Sequence, residues 1–450
     1  MSYASSTIVA IATAPGRGGV GIIRISGPLS LRFAQDLFNN VPLPPRQAKV
    51  VKVRDAAGNV LDEGIGLYFP APRSFTGEDV IEFQGHGGPI LLDMILARII
   101  SLGAQLAKPG EFSERAFFND KMDLLQAEAI ADLIDGASTA AVRAAARSMQ
   151  GEFSQHIRAM SRQIIELRTH IEATIDFSDE EIDFLQDNAL HQRLTTVQSQ
   201  LNTVFAAAQQ GAILREGITV VIAGLPNAGK SSLLNRLTGT DTAIVTEIAG
   251  TTRDVLRTQI QIDGMPIHVI DTAGLRETHD VVERIGIDRA RGEIQRADGV
   301  LLVVDDRRPL AEQIAEIQPP LPANLPMIVV RNKIDLSARQ PGVQQGPRGV
   351  EIAVSALTGA GMELLRAQLK QIAGFQDTAE TTFMARRRHL SALQHADNYL
   401  HQAAAALTHG KAELVAEELR HAHRALGELV GEFTSEDLLG AIFSTFCIGK

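Results

Sequence analysis

The spacing of apolar residues changes several times along the chain, and the changes divide it. Up to about residue 118 the apolar positions come in short runs with strand-like alternation: Thr7 to Ile11, Gly21 to Ile25, Ala48 to Val53, Gly64 to Phe69 and Asp79 to Phe83. One longer run, Ile90 to Ser101, reads as a helix, and Pro15-Gly16, Gly58-Asn59 and Pro109-Gly110 supply turns between the pieces. Residues 1–118 therefore read as an α+β domain. From Met122 the period becomes helical, with Leu125, Ala129, Ile130, Leu133 and Ile134 on one face, and it stays helical to about Leu214. Residues 216–375 alternate apolar strands with helices, the mark of a parallel sheet wound on both faces. Beyond Phe375 the chain is again helical. Residues 119–215 and 376–450 thus predict one discontinuous all-α domain with the α/β domain inserted in it. Gln340 to Gly349 reads as a surface loop, and no internal repeat is present.

The pattern is sharpest around Gly224-Leu-Pro-Asn-Ala-Gly229-Lys230-Ser231. This G-x-x-x-x-G-K-S spacing follows a β-branched run, Ile218 to Ala223, and precedes a helical run, Ser231 to Leu237, which is the context a phosphate loop needs. Glycines let the backbone curl so that several N–H groups face one anion, and the helix N-terminus adds positive potential. Lys230 can reach β- and γ-phosphates, and the Ser231 hydroxyl can ligate Mg²⁺.

Composition then removes alternatives. At 450 residues the chain has room for two or three domains. Its single cysteine, Cys447, excludes an internal disulfide framework, and no Cys/His cluster has zinc spacing. These point to a reducing, cytoplasmic setting. The N-terminus lacks a signal pattern and apolar runs are broken by charges such as Asp93 and Arg98, so no membrane span is expected. A net charge of −10 argues against indiscriminate polyanion binding, while leaving room for a local RNA contact.

Three further segments follow predicted strands in the order a nucleotide site requires. After Ile267 to Ile270 comes Asp271-Thr272-Ala273-Gly274, whose carboxylate can hold Mg²⁺ through water and whose glycine amide can approach the γ-phosphate. After Met327 to Val330 comes Asn332-Lys333-Ile334-Asp335; the Asp335 carboxylate can accept from guanine N1–H and N2–H₂, donors that adenine lacks there. After Val350 to Val354 comes Ser355-Ala356-Leu357, whose backbone can meet guanine O6. Thr246 to Arg253, with adjacent Thr251 and Thr252, suits a switch loop that closes on Mg²⁺. The nucleotide is therefore GTP. In small signalling GTPases a glutamine after the Asp-Thr-Ala-Gly element orients the attacking water; here the residue is Leu275, which cannot. Arg253, Arg276 and Glu283 are candidates to replace it, with solvated surface charge as the alternative.

With these motifs in place, the phosphate loop with Asn227, Thr246-Glu247-Ile248-Ala249-Gly250-Thr251-Thr252-Arg253-Asp254, Asp271 to Glu277, and the terminal Cys447-Ile-Gly-Lys450 resemble the MnmE (TrmE) family of tRNA-uridine-modification GTPases. Pro15 to Gly21, Ser74 to Glu78 and Phe112 to Ala116 extend the resemblance over the whole chain. It implies a cytoplasmic homodimer that forms a heterotetramer with a flavin (FAD)-dependent partner, MnmG (GidA). Together they install an aminomethyl or carboxymethylaminomethyl group at C5 of the wobble uridine of certain tRNAs. The one-carbon unit comes from 5-formyl- or 5,10-methylene-tetrahydrofolate. It also implies K⁺-dependent hydrolysis, with Asn227, Thr246, Ile248 and Thr251 around K⁺, Ser231 and Thr252 on Mg²⁺, and Glu283 positioning water. Asn227, Ala228, Gly229, Lys230, Ser231 and Ser232, Thr246 to Thr252, Asp271 to Gly274, and the base-contacting Asn332, Lys333, Asp335, Ser355, Ala356 and Leu357 make up the expected GTP site.

The resemblance makes residues 1–118 a folate-binding-like dimerisation domain, with Arg24, Glu82, Lys121 and Lys450 on the folate. From the residues alone, Arg24 reads as an exposed strand-end charge, Glu82 as an alternating strand residue and the glycines of 16–21 as a turn. Cys447 follows an apolar stripe, Leu438, Leu439, Ile442, Phe443 and Phe446, behind a Thr434 or Ser435 cap; a cysteine there reads as a small buried hydrophobe, and only the resemblance gives it a catalytic role. Arg386-Arg-Arg-His389 reads as a solvated helix face with tRNA phosphate contact as the alternative. The competing function is a regulatory, RNA- or ribosome-associated GTPase switch without covalent chemistry.

Overall fold

The computed structural model describes residues 6–176, 188–238, 257–271, 297–317, 325–376 and 382–449, which fall into two compact units. The first comprises Met1–Ala131, Ser148–His191 and Gln402–Lys450. Its six-stranded sheet is built from β1 (Ile8–Ile11), β2 (Gly18–Ser26), β3 (Lys49–Arg54), β4 (Val60–Phe69), β5 (Val80–Gly87) and β6 (Gln105–Leu106), in the order β3-β4-β5-β2-β1-β6. All neighbours are antiparallel except β1 and β6. Alternation puts Ile23 and Ile25 of β2 and Ile81 and Phe83 of β5 on the face that packs against α1 (Ser30–Leu37) and α2 (Pro89–Ser101), with Phe33, Leu37, Ile95 and Ile99 filling the layer. The same alternation turns Arg24 and Glu82, which are directly paired in register, to the opposite face. The glycines of 16–21 do more than turn: β2 already starts at Gly18, and at Gly87, opposite, a Cβ would lie 2.6 Å from the Gly18 carbonyl oxygen.

Beyond the sheet, α3 (Glu111–Phe118) starts from Gly110 in left-handed conformation, and α4 (Leu124–Asp135) follows. In α4 the predicted apolar face holds for Leu125 and Ala129, whereas Ile134 is 46% exposed, because the buried side of the last turn is taken by Asp132. The helices α5 (Thr139–Met149), α6 (Glu152–Asp176) and α7 (Asn188–Glu216) come next. A fully buried Arg115 joins the pieces of the first unit: it donates to Glu78 (3.1 Å), to Glu111 (2.8 Å) and to the Ser6 carbonyl (2.8 Å).

The second unit, Asp132–Arg147 with Gln192–His401, is organised by a seven-stranded sheet. Its strands are β7 (Ile218–Ala223), β8 (Arg257–Ile262), β9 (Met265–Asp271), β10 (Gly299–Asp305), β11 (Met327–Asn332), β12 (Gly342–Gly346) and β13 (Gly349–Ala353), in the order β12-β13-β11-β10-β7-β9-β8. The five inner strands are parallel and the two edges antiparallel. Every residue of β10 is buried, as expected of a strand covered on both faces. Around the sheet lie α8 (Lys230–Thr238), α9 (Leu310–Ala315), α10 (Ile334–Ser337) and α11 (Met362–Ala373). The segment Gln340 to Gly349, read as a loop, is instead the edge strand β12 and its hairpin turn. Its glutamines and glycines hide the strand from a hydrophobic pattern; the edge is held by the ladder to β13 and by Gln344 donating to Glu351 at 2.9 Å.

The polypeptide just before β7 and just before α12 (Arg387–Thr408) is held at one carboxylate. Asp132, 5% exposed, accepts from Arg215 at 2.8 Å and from Arg386 at 2.9 Å. The helices α12 (Arg387–Thr408), α13 (Ala412–Val430) and α14 (Glu436–Phe443) complete the chain; α13 packs along α6 within the first unit. Ser435 caps α14 by accepting from the Leu438 amide at 3.4 Å; Leu439, Ile442, Phe443 and Phe446 of the predicted stripe are buried against Leu124 and Ala127, whereas Leu438 is 40% exposed.

Candidate functional site

The loops expected to bind nucleotide meet at the carboxyl end of the parallel strands, where ligands sit in open α/β sheets. After β7 the backbone turns at Gly224, φ +151°, where a Cβ would lie 2.2 Å from the Val303 carbonyl oxygen. At Gly229, φ +97°, a Cβ would lie 2.2 Å from Asn332 Nδ2. Both positions require glycine, and Asn227 also takes a positive φ of +62°. Helix α8 then begins at Lys230, whose Nζ donates to the carbonyls of Gly224 (2.8 Å) and Leu225 (3.2 Å); Ser231 and Ser232 are exposed in its first turn.

Asn332, 2% exposed, joins the loops expected to contact the base. Its Nδ2 donates to the Ala228 carbonyl at 3.0 Å, and its Oδ1 accepts from the amides of Lys333 (2.8 Å) and Ala356 (3.0 Å). One buried amide thus ties together the phosphate loop, the Asn-Lys-x-Asp segment and the Ser355–Leu357 loop. Lys333, in left-handed conformation, crosses back to the Asn227 carbonyl (2.6 Å) and to Asp305 (2.9 Å). The Ser355 hydroxyl donates to Asp335 Oδ1 at 2.6 Å and so aims the carboxylate. Arg236 of α8 donates to the Leu357 carbonyl at 3.3 Å, and Leu357 itself is 80% exposed.

Sequence reasoning missed Asp305. It ends β10, accepts from Arg307 at 2.7 Å as well as from Lys333, and its carboxyl is held far below the usual carboxylate range, chiefly by the Arg307 guanidinium and then by Lys333, against the opposing effect of burial. An aspartate directly after the apolar run Gly299 to Val304 is the signal that could have found it.

Thr246, Glu247, Ile248, Ala249, Gly250, Thr251, Thr252 and Arg253 lie outside the described residues, as do Thr272, Ala273, Gly274, Leu275, Arg276, Glu283 and Lys450. Asp271 is described only as the last backbone position of β9.

A second polar cluster lies in the first unit. Arg24 is not an exposed strand-end charge: it sits mid-strand, donates from Nε to Glu82 at 2.8 Å, and has 18% of its side chain exposed. The rings of Phe75 and Phe112 lie 5.5 Å and 5.7 Å from its Cζ, and its Nη1 donates to the Gly449 carbonyl at 3.1 Å. Gln84 donates to the other Glu82 oxygen at 3.3 Å. Lys121 donates to the Pro72 carbonyl at 3.0 Å, at the start of the loop that carries Phe75. Cys447 lies beyond the end of α14 and is exposed, so the buried-hydrophobe reading is corrected; Phe446 takes the inward position instead. The solvated-face reading of 386–389 also fails in part. Arg386 is bound to Asp132, and His389 is 2% exposed, its Nδ1 accepting from the Arg386 amide at 3.0 Å. Arg387 does face solvent, paired with Glu216.

Parallel strands feeding a G-x-x-x-x-G-K-S loop, with an Asn-Lys-x-Asp segment after β11, have the arrangement of a P-loop GTPase. Comparison with known proteins sharpens the class. Residues 124–447 match the MnmE helical domain, and residues 7–121 match the GTP-binding protein TrmE N-terminus. The tRNA modification GTPase MnmE of Pseudomonas paraeruginosa is 56% identical over 456 residues, covering 100% of both chains. That of Pseudomonas savastanoi pv. phaseolicola is 57% identical over 459 residues, again at 100% coverage of both. Among solved structures, the G domain of the T. maritima FeoB iron transporter is 26% identical over 35% of this chain and 98% of its own, with a TM-score of 0.24. The chain belongs to the MnmE family of tRNA modification GTPases. Among the described residues no helix is long and apolar enough to cross a membrane.

Proposed function

We propose that this chain hydrolyses GTP as the GTPase subunit of an enzyme that adds an aminomethyl or carboxymethylaminomethyl group at C5 of the wobble uridine of certain tRNAs. The observation that carries the reading is the convergence on Asn332 of the phosphate loop, the Asp335 segment and the Ser355 loop, in a family whose members are named for tRNA modification.

The cradle suits a nucleoside triphosphate, since the loop turns at Gly224, Asn227 and Gly229, all at positive φ, and runs straight into the N-terminus of α8, where backbone N–H groups can face one anion. Lys230 exchanges its loop carbonyls for β- and γ-phosphate oxygens. Asp335 accepts from guanine N1–H and N2–H₂ through its two oxygens, since the Ser355 hydroxyl uses only one lone pair of Oδ1. When bound, Mg²⁺ and K⁺ offset the negative charge that builds at the β–γ bridge. Ser231, exposed in the first turn of α8, would hold the first together with Thr252; Asn227, Thr246, Ile248 and Thr251 would hold the second. Glu283 orients the attacking water that Leu275 cannot, and Arg253 and Arg276 are further candidates for the transition-state charge. Two copies pair, with their G domains face to face, and join the FAD-dependent MnmG.

Residues 1–118 form the folate-binding and dimerisation domain, 119–215 with 376–450 the helical domain, and 216–375 the G domain. Arg24, Glu82, Lys121 and Lys450 hold a 5-formyl- or 5,10-methylene-tetrahydrofolate. The donor set suits it: a guanidinium has five N–H groups and a carboxylate about four acceptor positions, and the contacts around Arg24 and Glu82 use only some of them. Cys447 is a candidate for the modification chemistry.

The decisive experiment is nucleoside analysis of wobble uridines after loss of the protein; unchanged C5 modification refutes the reading. GTPase rates in K⁺ and Na⁺ at equal ionic strength test the cation, and equal rates refute it. Equilibrium binding of 5-formyl-tetrahydrofolate to the full chain tests the folate site. Modification unaffected by Cys447→Ser excludes the cysteine.

A further inference from the structure

A chain segment that follows a terminal helix is ordinarily among the least ordered parts of a domain unless it is tied down. Here it is tied at two carbonyls. The Cys447 carbonyl accepts from the Gly110 amide at 3.4 Å, and the Gly449 carbonyl accepts from Arg24 Nη1 at 3.1 Å. Both anchor points are passages where only glycine fits. Gly110, φ +69°, runs so close to the end of α14 that a Cβ would lie 2.4 Å from the Phe443 carbonyl oxygen. Gly449, φ +93°, is buried against β1, where a Cβ would lie 2.6 Å from the Ile11 carbonyl oxygen and 2.9 Å from Ala12 Cα. Between the anchors Ile448 is 53% exposed and the Cys447 side chain faces solvent.

The donor at the second anchor is itself oriented. Glu82 fixes Nε of Arg24, and Phe75 and Phe112 flank the guanidinium. With that many restraints the planar fork has little freedom left, so Nη1 points at the Gly449 carbonyl without ordering cost at the moment of contact. Gln84 in turn holds the second Glu82 oxygen.

We propose that Arg24 is a positioning residue for the C-terminal segment: it straps residues 447–449 onto the N-terminal sheet and thereby fixes where Cys447 presents its thiol. Glu82 acts through Arg24 by aiming it, and Gly449 supplies the close passage that brings its carbonyl within reach. The strap is a property of the chain alone and does not depend on what binds beside it, so it stands or falls separately from the folate reading.

Cys447 is the single cysteine of the 450-residue chain, which makes the test direct. A nitroxide attached to it reports the mobility of the segment by electron paramagnetic resonance on the full-length protein. The expected spectrum has a broad, immobilised component. Arg24→Gln removes the donor and Gly449→Ala closes the passage; each is expected to replace that component with the sharp lines of a free segment. Glu82→Gln, which leaves Arg24 in place but weakens its aim, is expected to reduce the broad component. GTP hydrolysis by Gly449→Ala at the unsubstituted rate, and an unchanged circular dichroism spectrum for all three, exclude unfolding as the cause. A broad component that survives in both Arg24→Gln and Gly449→Ala, or that is absent from the unsubstituted protein, overturns the proposal.

Discussion

Replacing Asn332 by alanine should cost nucleotide affinity far more than its distance from any phosphate would suggest. The side chain is 2% exposed and makes three hydrogen bonds, to the Ala228 carbonyl and to the amides of Lys333 and Ala356. Alanine leaves the Ala228 carbonyl and the Ala356 amide without their partner at positions only 3% and 7% exposed. Orphaning a buried polar group costs about 1–3 kcal/mol. Water can reach the Lys333 amide, which is half-buried, so the two buried groups set the magnitude. Taking them near the middle of that range, and allowing for some relaxation, gives about 3 kcal/mol, or roughly a hundredfold in Kd. The cost appears in binding because three loops that now arrive pre-joined must be ordered by the ligand. Titration of a fluorescent GDP analogue measures it directly. A Kd within about threefold of the unsubstituted protein would mean that the loops are held by their own strands and that Asn332 is incidental.

Other outcomes follow from the same geometry. Asp335→Asn should exchange guanine for xanthine preference, since an amide can donate to the xanthine 2-oxo group; competition between GTP and XTP reads this, and continued GTP preference refutes it. Arg115→Leu leaves Glu78 and the buried Glu111 without the guanidinium they share. It should cost about 3–5 kcal/mol in denaturant unfolding, and a loss below about 1 kcal/mol would show the pairs to be solvent-relaxed. The Asp305 carboxyl is depressed in the folded state, first by its hydrogen bond to Arg307. Its stabilising effect is therefore present above the ordinary value of 3.8 and is lost as pH falls toward the folded value. Urea unfolding followed from neutral to acid pH should show a steeper acid loss for the native chain than for Asp305→Asn.

The parts of the fold legible in advance are those whose physics is local. Strand alternation located Ile8–Ile11 and Val80–Gly87 within a few residues, and the helix over 90–101 appears as Pro89–Ser101. Gly224 to Ser231 was readable because a phosphate loop needs its glycines and lysine at fixed offsets. What escaped was non-local. Nothing near Arg24 announces that Glu82, 58 residues away, will be its partner, or that Gly449, 425 residues away, will accept from it. Arg115 and Asp132 look like ordinary helix-surface charges until their partners arrive from other elements. The strand β12 was missed for the opposite reason: its glycines and glutamines carry no apolar period, and backbone pairing with β13 alone defines it.

The shared carboxylate of Asp132 has a consequence for how so long an insertion can be accommodated. Arg215 stands just before the first strand of the nucleotide-binding sheet and Arg386 just before the helix that follows it, so the side chains at the two ends of this segment meet on one carboxylate oxygen. Closing a loop of that length carries an entropy cost that grows only with the logarithm of its length, and a buried ionic staple at the neck offsets it at a single point. The nucleotide-binding segment is in this sense a cassette with a pinched base.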